Sequence, residues 1–161
     1  MIQRLLVLLL LLALSGCGFH LRGATGTPLG DSLPELHIKG IDIEVDFGRR
    51  VAQALEANGV KLVSDHIEDD TATMVLTTPK SSRQVLSIDN KVRAREYALT
   101  SAVSFTLKRI GLPAVKQIVR VRRDLVVDPT QVLGSDQEER RLRKEMENEL
   151  AQLLVLRLRS L

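Results

Sequence analysis

Between Tyr97 and Leu107 the chain alternates with a period of two. Tyr97, Leu99, Val103, Phe105 and Leu107 share one parity, while Ala98, Thr100, Ala102, Ser104 and Thr106 share the other. Successive side chains of an extended backbone point to opposite sides, so this run is a strand with one apolar face and one small, hydroxylated face. Such a strand must be covered on one side, and its other side is too polar for a dry core. Segments 71–78, 83–87, 93–108 and 115–127 are rich in Val, Thr, Leu and Ile, and turn signals stand at Asp89-Asn90 and Gly111-Leu112-Pro113. Long antiparallel hairpins follow from that pattern.

The cover is legible too. A stretch from Asp136 to about Arg159 places Leu142, Met146, Leu150, Leu153, Leu154 and Leu158 on one stripe, and Glu139, Arg140, Arg143, Lys144, Glu147 and Asn148 on the remainder. That is an amphipathic helix. Ser135 with Glu138 has the form of a capping box, acids fill the first turn, and Arg157 and Arg159 fill the last, as the helix dipole favours. Earlier, 36–38 predicts a short strand. Phe47, Val51, Ala54 and Leu55 predict a helix capped by Asp46 and ended by a left-handed Gly59, and 60–63 leaves it in extended form. The expected architecture is an α+β two-layer sandwich: a mostly antiparallel four-stranded sheet packed by two helices, in the order β-α-β-β-β-α.

The first sixteen residues stand apart from this body. Arg4 precedes an unbroken apolar stretch, 5–14, followed by Ser15-Gly16 and Cys17. Ten apolar residues are about half the ~20 needed to span a bilayer as a helix, so the pattern is that of a cleaved signal peptide. Leu14-Ser15-Gly16-Cys17 resembles the bacterial lipobox, in which the cysteine thiol accepts diacylglycerol and becomes the mature first residue. Cys17 is then the lipidation site, and two or three acyl chains anchor stably where one is marginal. Residues 17–34, with four Gly and two Pro, predict a tether, and 35–161 a single domain.

Composition narrows function by exclusion. Aromatics are 2% of the chain, too few for a base-stacking platform, and the net charge of +3 is too weak to imply a nucleic-acid partner. One cysteine excludes an intrachain disulfide and multi-thiolate zinc sites. His20, His37 and His66 occupy no recognised metal spacing, and no nucleophile-elbow or phosphate-loop motif occurs, so neither enzyme chemistry nor a cofactor is expected. Asp65, Glu68, Asp69 and Asp70 around His66 read as a solvated loop, with a divalent-cation site as the alternative.

The order of these features, with Cys17-Gly18-Phe19-His20-Leu21-Arg22-Gly23 at the mature start, resembles the LPS-assembly lipoprotein family LptE, also called RlpB. Ala94-Arg95-Glu96-Tyr97 at a strand start, and Asp128-Pro129 followed by Glu138-Glu139 and Met146-Glu147 in the last helix, are similar in the same order. The chain departs in having Phe19 where others have Trp and in lacking a polar C-terminal extension. The resemblance implies an outer-membrane lipoprotein without enzymatic activity that plugs the large β-barrel LptD, assists its assembly, and supports lipopolysaccharide transport. A lipoprotein scaffold subunit of another envelope complex is the alternative.

Two basic clusters gain meaning from that resemblance. Lys80, Arg83, Lys91, Arg93 and Arg95 gather around one turn. Lys116, Arg120, Arg122 and Arg123 lie on the last strand, the first three on one parity with Ile118 between. Guanidinium groups bind phosphate through paired, charge-assisted hydrogen bonds, which suits the phosphates of lipopolysaccharide. The competing reading is a solvated, aggregation-deterring edge. The Thr100, Ala102, Ser104 and Thr106 face likewise suits either the polar lumen of a barrel or plain solvent.

Overall fold

The computed structural model describes residues 28–64, 71–91, 93–128 and 132–161. Its elements are α1 (Leu29–Ser32), β1 (Glu35–Lys39), α2 (Asp46–Glu56), β2 (Lys61–Leu62), β3 (Ala72–Leu76), β4 (Lys80–Ile88), β5 (Ala94–Lys108), β6 (Val115–Val126) and α3 (Val132–Arg159).

β5 is the spine of the sheet. β6 pairs antiparallel along one of its edges, from Glu96↔Val126 to Leu107↔Val115. On the other edge β4 takes the N-terminal part of β5, Lys80↔Ala102 to Ile88↔Ala94, and β3 takes the C-terminal end, Thr73↔Lys108 to Leu76↔Phe105. β1 then pairs parallel with β3 and with β2. The long hairpins thus stand as expected. The four-stranded, mostly antiparallel sheet does not: it is a six-stranded mixed sheet, and a third helix, α1, accompanies the two expected ones among the described residues. The cause is α2. A tight turn returns the chain antiparallel, whereas a crossing helix brings it back in the same direction, so β2 pairs parallel with β1; β3 pairs parallel with the other edge of β1.

Further boundaries move for packing reasons. Leu29 and Leu33, assigned to the tether, are 1% and 4% exposed in the common core, so the folded body starts before residue 35. α3 begins at Val132, which places Ser135 inside the helix rather than at its cap. Asp46 makes no capping hydrogen bond and has a φ of 42°. Gly59 does end α2 with a φ of 82°, and the Val60 amide reaches back to the Leu55 carbonyl at 3.1 Å. Gly30 packs directly against that bend, where a Cβ would lie 2.2 Å from the Gly59 carbonyl oxygen.

The odd parity of β5 builds the core. Leu99, Val103, Phe105 and Leu107 join Leu36, Met74 and Leu76 from the sheet, Val51 and Leu55 from α2, and Met146, Leu150, Leu154 and Leu158 from α3. Each such side chain contributes about 1.5–3 kcal/mol on leaving water. Ser101 is the buried polar member of this face, at 3% exposure, and its hydroxyl is met by that of Ser81 at 3.2 Å. α2 and α3 both pack on this side, and among the described residues no helix covers the even parity of β5.

Candidate functional site

The bare side of the sheet follows from register. Residues directly opposite one another share a face, so Ala102 stands between Lys80 and Arg120, Thr100 between Ser82 and Arg122, and Ala98 between Gln84 and Asp124. Farther along, Thr106 lies beside Val75 and Lys116, and Ser104 beside Thr77 and Ile118. Thr73 carries the same face to His37 and Lys108, and Val75 carries it to Lys39.

The central strand thus offers a floor of half-buried small groups, and the flanking strands carry the long side chains. With neighbouring strands about 4.8 Å apart, the two flanks stand roughly 10 Å from each other. The result is a shallow trough with a cationic rim. Lys39, Lys80, Lys108, Lys116, Arg120 and Arg122 share this face, against Glu96 and Asp124. Arg122 pairs with Asp124 at 3.3 Å, while Lys80, Lys116 and Arg120 form no ion pair among the described residues. The floor is internally tied where β3 gives way to β4: the Ser104 amide donates to the Thr77 hydroxyl at 3.1 Å.

The predicted basic residues divide into three groups. Lys80, Lys116, Arg120 and Arg122 meet on the trough. Arg83 falls on the opposite parity, where it pairs with Glu139 of α3 at 2.8 Å and lies 3.5 Å above the centre of the Tyr97 ring. Arg123 is likewise turned toward α3 and pairs with Glu149. Lys91, Arg93 and Arg95 cluster at the β4–β5 turn, beyond the trough. There Asp89 accepts the amides of Lys91 and Arg93 and the Arg93 guanidinium, at 2.8–2.9 Å. Those donors, the Arg93 amide foremost, hold its carboxyl below the usual aspartate range. Exposed Val85, Leu86, Ile88 and Val126 surround the same tip.

Lys39 and Lys108 were missed as members of the face. Lys108 continues the even parity of Thr100 to Thr106 and was legible; Lys39 needed the parallel register of β1. Cys17, His20, His66 and the 65–70 acidic stretch lie outside the described residues. Among the described residues, no three His, Cys, Asp or Glu side chains gather as a metal site, and no helix is long and apolar enough to cross a membrane.

Among the described residues this is a helix-backed sheet with one bare, cationic face, its charged groups spread over strands. Solved structures with this fold include lipoproteins. The rare lipoprotein B of Shewanella oneidensis matches with a TM-score of 0.71 at 28% identity, over 78% of this chain and 94% of that one. An uncharacterized lipoprotein B of Nitrosomonas europaea shares the fold, with a TM-score of 0.64 at 22% identity over 86% and 88% of the two chains. Sequence comparison is more specific. The LPS-assembly lipoprotein LptE of Yersinia pestis is 32% identical over 97% of this chain and 76% of its own length, and that of Pectobacterium atrosepticum is 30% identical over 97% and 85%. The family profile described as LptE, lipopolysaccharide-assembly, matches residues 33–158. The chain belongs to the LptE family.

Proposed function

We propose that this protein is an outer-membrane lipoprotein, acylated at Cys17, that sits as a plug within the LptD β-barrel, assists its assembly, and supports lipopolysaccharide transport without catalysing a reaction. The observation that carries the reading is the bare trough. A barrel lumen is polar and wet, and a plug needs a surface that is polar, close-fitting and poor in long side chains at its centre. The Ala98, Thr100, Ala102, Ser104 and Thr106 floor has that character.

Its rim supplies the ligand chemistry. Lys80, Lys116, Arg120 and Arg122 stand on one surface, three of them without an ion pair among the described residues, and suit the phosphates of lipopolysaccharide. Lys91, Arg93 and Arg95 extend the basic character to the β4–β5 tip. Arg83 is spent on Glu139 and Tyr97 and belongs to the fold rather than to the ligand surface.

The deciding experiment is affinity purification of the full-length lipoprotein from detergent-solubilised outer membranes. Near-stoichiometric co-elution of one large β-barrel is expected, and its absence refutes the plug. Two companions test the parts. Cys17→Ala must abolish incorporation of labelled palmitate. Changing Lys116, Arg120 and Arg122 together to Ser must weaken lipopolysaccharide binding at least about tenfold at unchanged stability, since all three side chains are exposed. Unchanged binding refutes the rim assignment.

A further inference from the structure

β6 ends the sheet with an edge that no strand among the described residues pairs. Its backbone groups divide by parity. The Val127 amide donates to the Arg95 carbonyl at 2.8 Å, in the register that runs on through Glu96↔Val126. In an antiparallel ladder that makes the odd-numbered residues the ones whose amides and carbonyls face β5. Lys116, Ile118, Arg120, Arg122, Asp124 and Val126 therefore direct theirs away from the sheet. The edge is twelve residues long, contains neither Pro nor Gly, and shows no bulge against β5.

Proteins blunt such edges with prolines, bulges, a covering element or charge, and among the described residues this one has charge alone. Lys116, Arg120 and Arg122 repel a second copy of the same edge. They attract an acidic strand. Beside the edge, between β6 and α3, lies a cavity of about 300 Å³ walled by Ile118, Leu153 and Leu156, with Arg120 and Arg157 at its border. Ile118 and Leu156 are 56% and 55% exposed, an apolar surface that blunting alone does not require. Neither arginine forms an ion pair among the described residues.

We propose that the β6 edge takes up an extended acidic segment of a partner protein as an added strand, its apolar side chains in the groove and its carboxylates against Arg120 and Arg157. A peptide is favoured over a phosphate by the backbone itself. The outward groups alternate donor and acceptor, which another strand satisfies in full, whereas a phosphate can satisfy only the donors. The inference shares Arg120 with the ligand reading of the trough and rests otherwise on the outward backbone of β6 and on α3, so its test varies Ile118, Arg157 and the peptide backbone and leaves the trough rim intact.

The test begins with a random-peptide display library panned on the full-length protein in detergent micelles. Enriched peptides should be acidic with apolar residues at alternate positions. The best of them, resynthesised, is then measured by fluorescence anisotropy against the wild type, Ile118→Pro and Arg157→Glu. Proline at 118 removes an outward amide and no bond to β5, and edge positions tolerate it. Ile118→Pro should weaken binding at least about tenfold, as should N-methylation of the peptide at alternate amides in one phase but not the other. Arg157→Glu should weaken it independently, and it carries the test with the methylated peptides if Ile118→Pro fails to fold. No acidic enrichment, or indifference to N-methylation in both phases, overturns the proposal. Displacement of a methylation-indifferent peptide by lipopolysaccharide would make the groove a lipid site and overturn it equally.

Discussion

Arg83 separates the structural duty of one basic residue from the ligand-binding duty proposed for others on this sheet. Its guanidinium pairs with a Glu139 carboxylate whose side chain is only 15% exposed, and it stacks over Tyr97 while remaining 38% exposed itself. A half-exposed cation–π contact contributes about 0.5–1 kcal/mol. An ion pair to a mostly shielded carboxylate sits near the top of the surface range, about 1 kcal/mol after solvent screening. Arg83→Ser should therefore cost about 1.5–2 kcal/mol, or about 5–8 °C in Tm for a domain of this size. Lys80→Ser, three residues away on the trough, should stay within about 0.5 kcal/mol. Urea unfolding of both variants measures the contrast. A double-mutant cycle with Glu139→Gln should return a coupling of about 0.5–1 kcal/mol, reduced because Arg143 also holds that carboxylate. Lipopolysaccharide binding by Arg83→Ser should fall only as far as the folded fraction falls. An Arg83→Ser protein of wild-type stability that has lost ligand affinity refutes this reasoning and returns Arg83 to the binding surface.

Two other expectations concern the body of the fold. Leu150 is fully buried where α3 meets the sheet, so Leu150→Ala should cost about 2–5 kcal/mol in urea unfolding, and a cost below about 1 kcal/mol would deny α3 its place over β5. Asp89 has a folded pKa held below the ordinary 3.8, so its contribution to the β4–β5 turn is complete above that value and disappears as pH falls from there through the lowered one. Protection of the Lys91 and Arg93 amides, taken relative to the intrinsic exchange rate at each pH, should fall over that interval in the wild type and already be low at neutral pH in Asp89→Ala; equal protection in the two proteins would remove the carboxylate from the turn.

What the sequence discloses here depends on whether a feature is local. The parity of β5 marks both faces of the central strand, and its odd members from Leu99 to Leu107 are buried as the alternation requires. The α3 stripe was equally plain, and Ala151 and Val155 merely widen it. Strand count and direction were not plain, because β2 has two residues and its parallel pairing with β1 has no local signature. The cap at Ser135 failed for a related reason: a capping box is a good start signal only if the preceding residues leave the helix, and here they continue it. For the proposed binding surface, parity alone puts Lys116, Arg120 and Arg122 together. Arg83 needed the contact with α3, which spans 56 residues of sequence.

The bare face explains why the chain stops at two layers. A third layer over the even parity of β5 would bury the hydroxyls of Thr100, Ser104 and Thr106 together with the Lys and Arg head groups beside them. An unpaired buried hydroxyl costs about 1–3 kcal/mol, and an unpaired buried charge costs more. No helix of this chain could recover that. The odd parity admits Ser101 only because Ser81 meets its hydroxyl, and every other buried β5 side chain there is apolar. One strand therefore enforces a dry interior on one side and a surface on the other that only water, a polar wall or an anionic ligand can cover. The helices supply stability from behind. The trough stays open at no cost to the core, so substitutions along its rim can change what it binds without changing what holds the protein together.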